Sequence, residues 1–377
     1  MLAASGVGST YSLDAADFPA LIGALAAGGR TVVGPTVRDG AIVYDAVSGV
    51  DDLPVGWTSV HDAGRYRLER RSDRALFGFT VGPHAWRRFL DPPRGAVFRA
   101  RRAADGTVAL VAAEGAAPRY AFLGVRPCDL AAIAIQDRVH LDGPWPDSAY
   151  AERRGEALLV AVQCTEPAAT CFCASLDSGP TATQGFDLAL TEIVEGDRHV
   201  FLVEPGSERG SRLAASLPVR DPRDEDVRLG EERIARATAS MVRTLDAEGL
   251  REKLALSYES PRWESIAARC FGCANCTLVC PTCFCTTVED RAGLDGREID
   301  RQRRWESCFT LGFSHIHGGS HRTTIASRYR QWLTHKLSAW HDQFGTSGCV
   351  GCGRCITWCP AAIDITEEAR ALTATED

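Results

Sequence analysis

Cysteines set at fixed short intervals, and then repeated as a block, leave a chain few ways to fold. In "CFGCANCTLVCP" (270–281) and "CVGCGRCITWCP" (349–360) four cysteines follow C-x2-C-x2-C-x3-C-P. Cys270, Cys273, Cys276 and Cys280 map onto Cys349, Cys352, Cys355 and Cys359 with every member displaced by 79 positions. Three cysteines this close must share one tight loop, and the proline after the fourth stops that loop from continuing as a strand. The chain carries 15 cysteines, an odd number, and disulfides would need an oxidising compartment. The N-terminal "MLAASGVGSTYSLDAADFPALIGALAAGG" lacks the basic and apolar regions of a secretory leader, so the cysteines are expected to bind metal in a cytosolic protein.

The spacing is that of the bacterial ferredoxin run for [4Fe-4S] clusters. A loop of this length can wrap three corners of a cubane. Gly272, Gly351 and Gly353 let the backbone come close enough for its N–H groups to reach sulfur. In two-cluster ferredoxins the fourth cysteine crosses to the other cluster. Carried over here, one cluster uses Cys270, Cys273, Cys276 and Cys359, and the other uses Cys349, Cys352, Cys355 and Cys280. Zinc sites favour paired cysteines over four-cysteine runs that end in proline.

Seven cysteines remain. Cys128, Cys164, Cys171 and Cys173 form an apparent set for a third [4Fe-4S] cluster or a zinc ion. A rival set joins Cys283, Cys285 and Cys308 to one upstream cysteine. Zinc held by three cysteines and a histidine of "SHIHGGSH" is a further reading, and simple burial of free thiols is the plainest one. His315, His317 and His321 surround a Gly pair without an acidic companion, which favours a structural turn.

The rest of the chain reads as an α/β N-terminal domain plus a mainly helical two-cluster ferredoxin-like C-terminal domain. The expected boundaries are 1–218 for the α/β domain, 219–262 for a charged helical connector and 263–377 for the dicluster part. Phe18, Leu21, Ile22 and Leu25 define one helical face. "TVVGPTV", "AIVYDAV", "ALFGFTV" and "VALVAAE" read as strands. "YAFLGVRPCDLAAIAIQDRV" reads as strand, turn and helix, and "EALLVAVQC" as a further strand, so Cys128 and Cys164 lie at the carboxyl ends of strands. "HAWRRFLDPP" is expected to be helical, and "HVFLVEP" the second arm of a hairpin. Residues 281–348 separate the two runs, and within them Tyr329, Trp332, Leu333, Leu337, Trp340 and Phe344 predict a long helix with a core face.

A formal net charge of -7 argues against nucleic acid and against an anionic membrane surface. No uncharged apolar stretch is long enough to span a bilayer. No G-x-G-x-x-G after a strand, P-loop or C-x-x-C-H motif is present.

The stretches "CTLVCPTCFCTTVED", "WESCFTLGF", "HGG", "RYRQWLTHKL", "CVGCGRCITWCP", "VGPTVRDGAIVYD", "LPVGW" and "GVRPCDLAAI" resemble the dicluster iron–sulfur subunit family. That family includes the beta subunits of sulfhydrogenases, which are NADP-linked nickel–iron hydrogenases, and the A subunit of anaerobic sulfite reductase. The resemblance implies a non-catalytic electron-transfer subunit. Its partners would be a flavin subunit that handles NAD(P)H and a catalytic subunit with nickel–iron or, alternatively, sirohaem. Cys128 at a strand end sustains another reading, a small-molecule or flavin reductase with its active site in the α/β domain. A redox sensor is a third reading, which crossed and buried ligation disfavours.

Overall fold

A computed structural model describes residues 7–111 and 117–374. The chain begins with β1 (Tyr11–Asp14), β2 (Thr31–Arg38), β3 (Ala41–Ala46), β4 (Trp57–Asp62) and β5 (Arg65–Arg70). There follow β6 (Arg94–Arg102), β7 (Val108–Val111), β8 (Tyr120–Val125), β9 (Leu158–Val162), β10 (Leu188–Glu195) and β11 (Arg198–Pro205). Between the cysteine runs lie β12 (Thr286–Ala292) and β13 (Glu298–Trp305).

The largest sheet has the order β1-β11-β10-β9-β8-β2-β3. Its centre, β10, β9, β8 and β2, is parallel, with antiparallel strands at both edges. A parallel centre must be covered on both faces, so its strands are continuous apolar runs. Every residue of β9, "LLVAV", is buried. Its side chains alternate between two cores. Leu158, Val160 and Val162 pack with Phe18, Leu21 and Phe201 under the helix Phe18–Ala26. Leu159 and Ala161 pack with Phe122, Trp86, Leu130 and Ile133 under the helix Pro127–Leu141. Each large side chain so buried contributes about 1.5–3 kcal/mol.

One predicted strand does not form. "ALFGFTV" (75–81) is buried but irregular, and side chains serve its backbone in place of a ladder. Glu192 accepts from the N–H groups of Leu76 and Phe77 at 2.6 and 2.8 Å. Arg126 donates to the carbonyls of Phe77 and Phe79 at 2.7 and 2.5 Å. A buried backbone must be paired, but the partner need not be a strand. "VALVAAE" is a strand as far as Val111, and its remaining three residues lie outside the described residues.

The connector contains the helices Asp224–Ser240 and Leu250–Leu256. The insertion between the runs departs from the mainly helical expectation. Its first part is the hairpin β12–β13, which joins β6 and β7 in a sheet of order β12-β13-β6-β7. That sheet takes two strands from each side of residue 263. Arg99–Asp300 and Arg101–Glu298 bond across it at 2.6 and 2.9 Å. The insertion's charged, sparsely apolar sequence hides this pairing, because the partner strand lies some two hundred residues away. The aromatic helix does form, from Ile325 to Phe344, and it holds one π turn over His335–Ala339. Its Tyr329, Trp332, Leu333, Leu337 and Trp340 are buried.

Candidate metal centre

Both cysteine runs form a tight loop that leads into one short helical turn, Asn275–Leu278 in the first and Arg354–Thr357 in the second. Gly272, Gly351 and Gly353 have φ of 62°, 61° and 72°, the left-handed region that suits glycine. This turn aims backbone donors at sulfur. The N–H of Gly272 lies 3.4 Å from Cys270 Sγ, that of Gly351 3.5 Å from Cys349 Sγ, and that of Ile363 3.4 Å from Cys359 Sγ. Such donors stabilise thiolate ligands and suit an iron–sulfur cluster.

The two runs pack against each other. Burial pushes the Cys276 thiol well above its ordinary value, and the nearby sulfurs of Cys270, Cys359, Cys273 and Cys280 add to the shift. Cys355 is raised in the same way by burial, with Cys349, Cys352, Cys280 and Cys276 as its neighbours. A small cleft is lined by Cys270, Cys273, Cys276 and Cys359, together with Phe309 and Tyr329. Cys359 thus lies with Cys270, Cys273 and Cys276, and Cys280 lies near Cys355 as well as near Cys276. Cys273 is exposed, whereas Cys280 and Cys352 are buried.

Beside Cys280 is a cation that the sequence reading did not single out. Lys336, only 3% exposed, lies on the π turn. Its Nζ donates to Cys280 Sγ at 3.3 Å, Thr282 Oγ1 at 3.0 Å and the Gly348 carbonyl at 3.1 Å. Burial disfavours its charge, yet the neighbouring sulfurs of Cys280, Cys283 and Cys349 hold its pKa above the ordinary lysine value. A signal was present: Lys336 is one of two lysines in the chain and shares the apolar helical stripe of Tyr329, Trp332 and Trp340.

Cys283, Cys285 and Cys308 lie in this same region. Cys283 pairs with Cys280, and Cys285 with Cys308, whose hydrogen bond brings the Cys285 thiol down to about 7. Arg87, buried over the Trp305 ring at 3.7 Å, adds a second cation near Cys283. The neighbours that act on this trio include Cys280 and Cys276.

The upstream set sits on the other side of the second run. Cys128 opens the helix after β8, Cys164 follows β9, and Cys171 and Cys173 belong to the loop beyond. All four are buried. Their loop backs the second run directly: Phe172 N donates to Gly351 O at 2.8 Å, and Ser178 Oγ donates to Val350 O at 2.7 Å. A Cβ on Gly351 would lie 2.6 Å from the Cys173 backbone, so only glycine allows this approach. Arg354, between Cys352 and Cys355, is clamped by both carboxylate oxygens of Asp129 at 2.8 and 3.0 Å, and Tyr44 donates to the same carboxylate at 3.1 Å.

His315, His317 and His321 are exposed on a short hairpin around Gly318 and Gly319. Among the described residues, no three His, Cys, Asp or Glu side chains converge as a single metal ion requires. No helix of the structure is long and apolar enough to cross a membrane, among the described residues.

Residues 269–363 match a family model described as a 4Fe-4S dicluster domain. Along 350 residues the chain is 32% identical to the sulfhydrogenase 2 subunit beta of Pyrococcus furiosus, covering 92% of this chain and 93% of that protein. No solved structure matches. Paired cysteine loops together with likeness across almost the whole length place this chain in the family of dicluster [4Fe-4S] electron-transfer subunits that contains the sulfhydrogenase beta subunits.

Proposed function

We propose that this chain is the electron-transfer subunit of a hydrogenase-type complex and relays electrons between a flavin subunit that handles NAD(P)H and a nickel–iron catalytic subunit. The observation that carries this reading is the similarity to a sulfhydrogenase beta subunit over both the cysteine runs and the α/β part. The [4Fe-4S] clusters would supply the one-electron chemistry. The chain's own residues hold, bury and polarise them. Cys270, Cys273, Cys276 and Cys359 hold the first, and Cys349, Cys352, Cys355 and Cys280 the second, a reading supported by the neighbourhoods of Cys276 and Cys355.

Exposure differs between the two sites and gives the relay an outside and an inside. The first run presents Cys273 to solvent, with Phe271 70% exposed beside it. That face is the electron port toward a partner. The second run, enclosed by the α/β domain and by Lys336, is the inner station.

The test is iron and acid-labile sulfide on the anaerobically purified chain, with nickel and flavin assayed in the complex that copurifies with it. At least about eight irons per chain, together with a copurifying flavin and nickel, are expected. Fewer than about six irons after full reconstitution overturns the dicluster assignment. Sirohaem in place of nickel would point to a sulfite reductase complex.

A further inference from the structure

We propose that Cys128, Cys164, Cys171 and Cys173 hold a third [4Fe-4S] cluster, back to back with the second and inside the α/β domain. The proposal extends the relay described above and rests on that reading for its function, though not for its ligands.

The fold brings these four thiols together from separate places. The adjacent parallel strands β8 and β9 end at Val125 and Val162, and Cys128 and Cys164 lie just beyond them, at the carboxyl-terminal edge of the sheet where α/β proteins place their sites. The loop after β9 then returns Cys171 and Cys173 to the same edge. Cys173 lies within electrostatic reach of Cys171, Cys164 and Cys352, Cys171 within reach of Cys164 and Cys352, and Cys128 within reach of Cys173 and Cys352. Cys352 is thus common to their surroundings and belongs to the second run. The arrangement is open rather than convergent. An open ring of thiolates suits the corners of a cubane better than the tight tetrahedron of zinc.

Charge provides an independent observation. Arg126, 3% exposed, precedes Cys128 by two residues and spends its guanidinium on three carbonyls, those of Gln163, Phe77 and Phe79. Among the described residues no carboxylate lies within ion-pair distance of it. The other buried arginine of this region, Arg354, is neutralised by Asp129. A buried cation without a counter-charge is costly. Four thiolates around iron would supply the missing negative charge beside Arg126, whose field already reaches Cys164. Four neutral thiols would not. The cysteines that act on the rival trio of Cys283, Cys285 and Cys308, among the described residues, include Cys280 and Cys276, which belong to the first run.

A cluster here would exchange single electrons with the second one across the Phe172–Gly351 contact, each one-electron reduction matched by a one-electron oxidation of its neighbour. The α/β domain would then belong to the conducting path.

The test uses the full chain, reconstituted anaerobically, with iron, sulfide and zinc measured on the same sample. The wild type is expected to hold about twelve irons, and a Cys171→Ala/Cys173→Ala variant about eight. Cys128→Ser, which changes one ligand at nearly constant volume, is expected to retain the eight irons of the ferredoxin runs and to lose part of the electron-spin-resonance intensity of the reduced protein. About eight irons in the wild type, unchanged in both variants, overturns the proposal and leaves the dicluster reading intact. Eight irons plus one zinc that the double variant loses also overturns it, in favour of a structural zinc. Fewer than about six irons in the fully reconstituted wild type, none of them sensitive to the variants, would defeat both this proposal and the dicluster assignment.

Discussion

Lys336 shows how much one side chain can decide at a thiolate site. A buried ammonium 3.3 Å from the Cys280 sulfur, a proposed cluster ligand, would stabilise the more negative, reduced state of whatever that sulfur binds. Its placement depends on the π turn, since such a bulge moves one residue out of the regular helical register. Lys336→Met keeps the length of the side chain and removes the charge. The potential of the second cluster is then expected to fall by on the order of tens of millivolts, with the first moving less. A spectroscopically monitored redox titration reads both. Equal potentials in the two proteins would mean that the ammonium serves only Thr282 and Gly348. Lys336 was readable as an anomaly, a lysine on an apolar stripe, but its partner was not, because Cys280 is 56 residues away in the chain.

Among elements, the contact that matters most is the one between the second cysteine loop and the helix Pro127–Leu141. Arg354 and Asp129 make it through a bidentate pair that is almost fully excluded from solvent. Removing one member of such a pair strands the other charge. Asp129→Asn is expected to cost about 3–5 kcal/mol of stability, read as a lower denaturant midpoint, and to lower iron occupancy of the second run before the first. A double replacement, Asp129→Leu with Arg354→Leu, should recover much of the stability, because an apolar pair carries no desolvation penalty. An unchanged midpoint in Asp129→Asn would show that water or Tyr44 compensates. The helix itself was legible from "VRPCDLAAI", since proline at its first position and the apolar spacing both point to it. The clamp was not, because Asp129 reads as an ordinary first-turn acid. The same limit explains 75–81. Its composition is that of a strand, yet Arg126 and Glu192 reach its backbone first.

Over the whole molecule, the exposure of Cys273 against the burial of Cys280 and Cys352 gives the proposed relay its direction. Phe271 and Leu278, 70% and 49% exposed, flank the open loop, and an apolar rim around an exposed ligand suits a partner surface. Phe271→Glu is expected to weaken association with the partner at least tenfold while leaving iron content at the wild-type value. Binding of the purified holo-subunit, followed by sedimentation or calorimetry, gives the first quantity, and iron analysis gives the second. Intact assembly in this variant would move the port elsewhere on the molecule.

The two loops, their glycines and their number were already written in local spacing, because ligand geometry and left-handed turns depend on a few neighbouring residues. So were the strands β8 and β9, whose unbroken apolar runs require burial on both sides. What the folded chain alone decided are the long-range juxtapositions. Among them are the hairpin β12–β13 beside β6, the "TCFC" loop against Gly351, and Lys336 against Cys280. Those depend on which surfaces meet when the chain closes on itself. No short window of residues carries that information, since the energy that selects such a contact is shared between segments that local periodicity never compares.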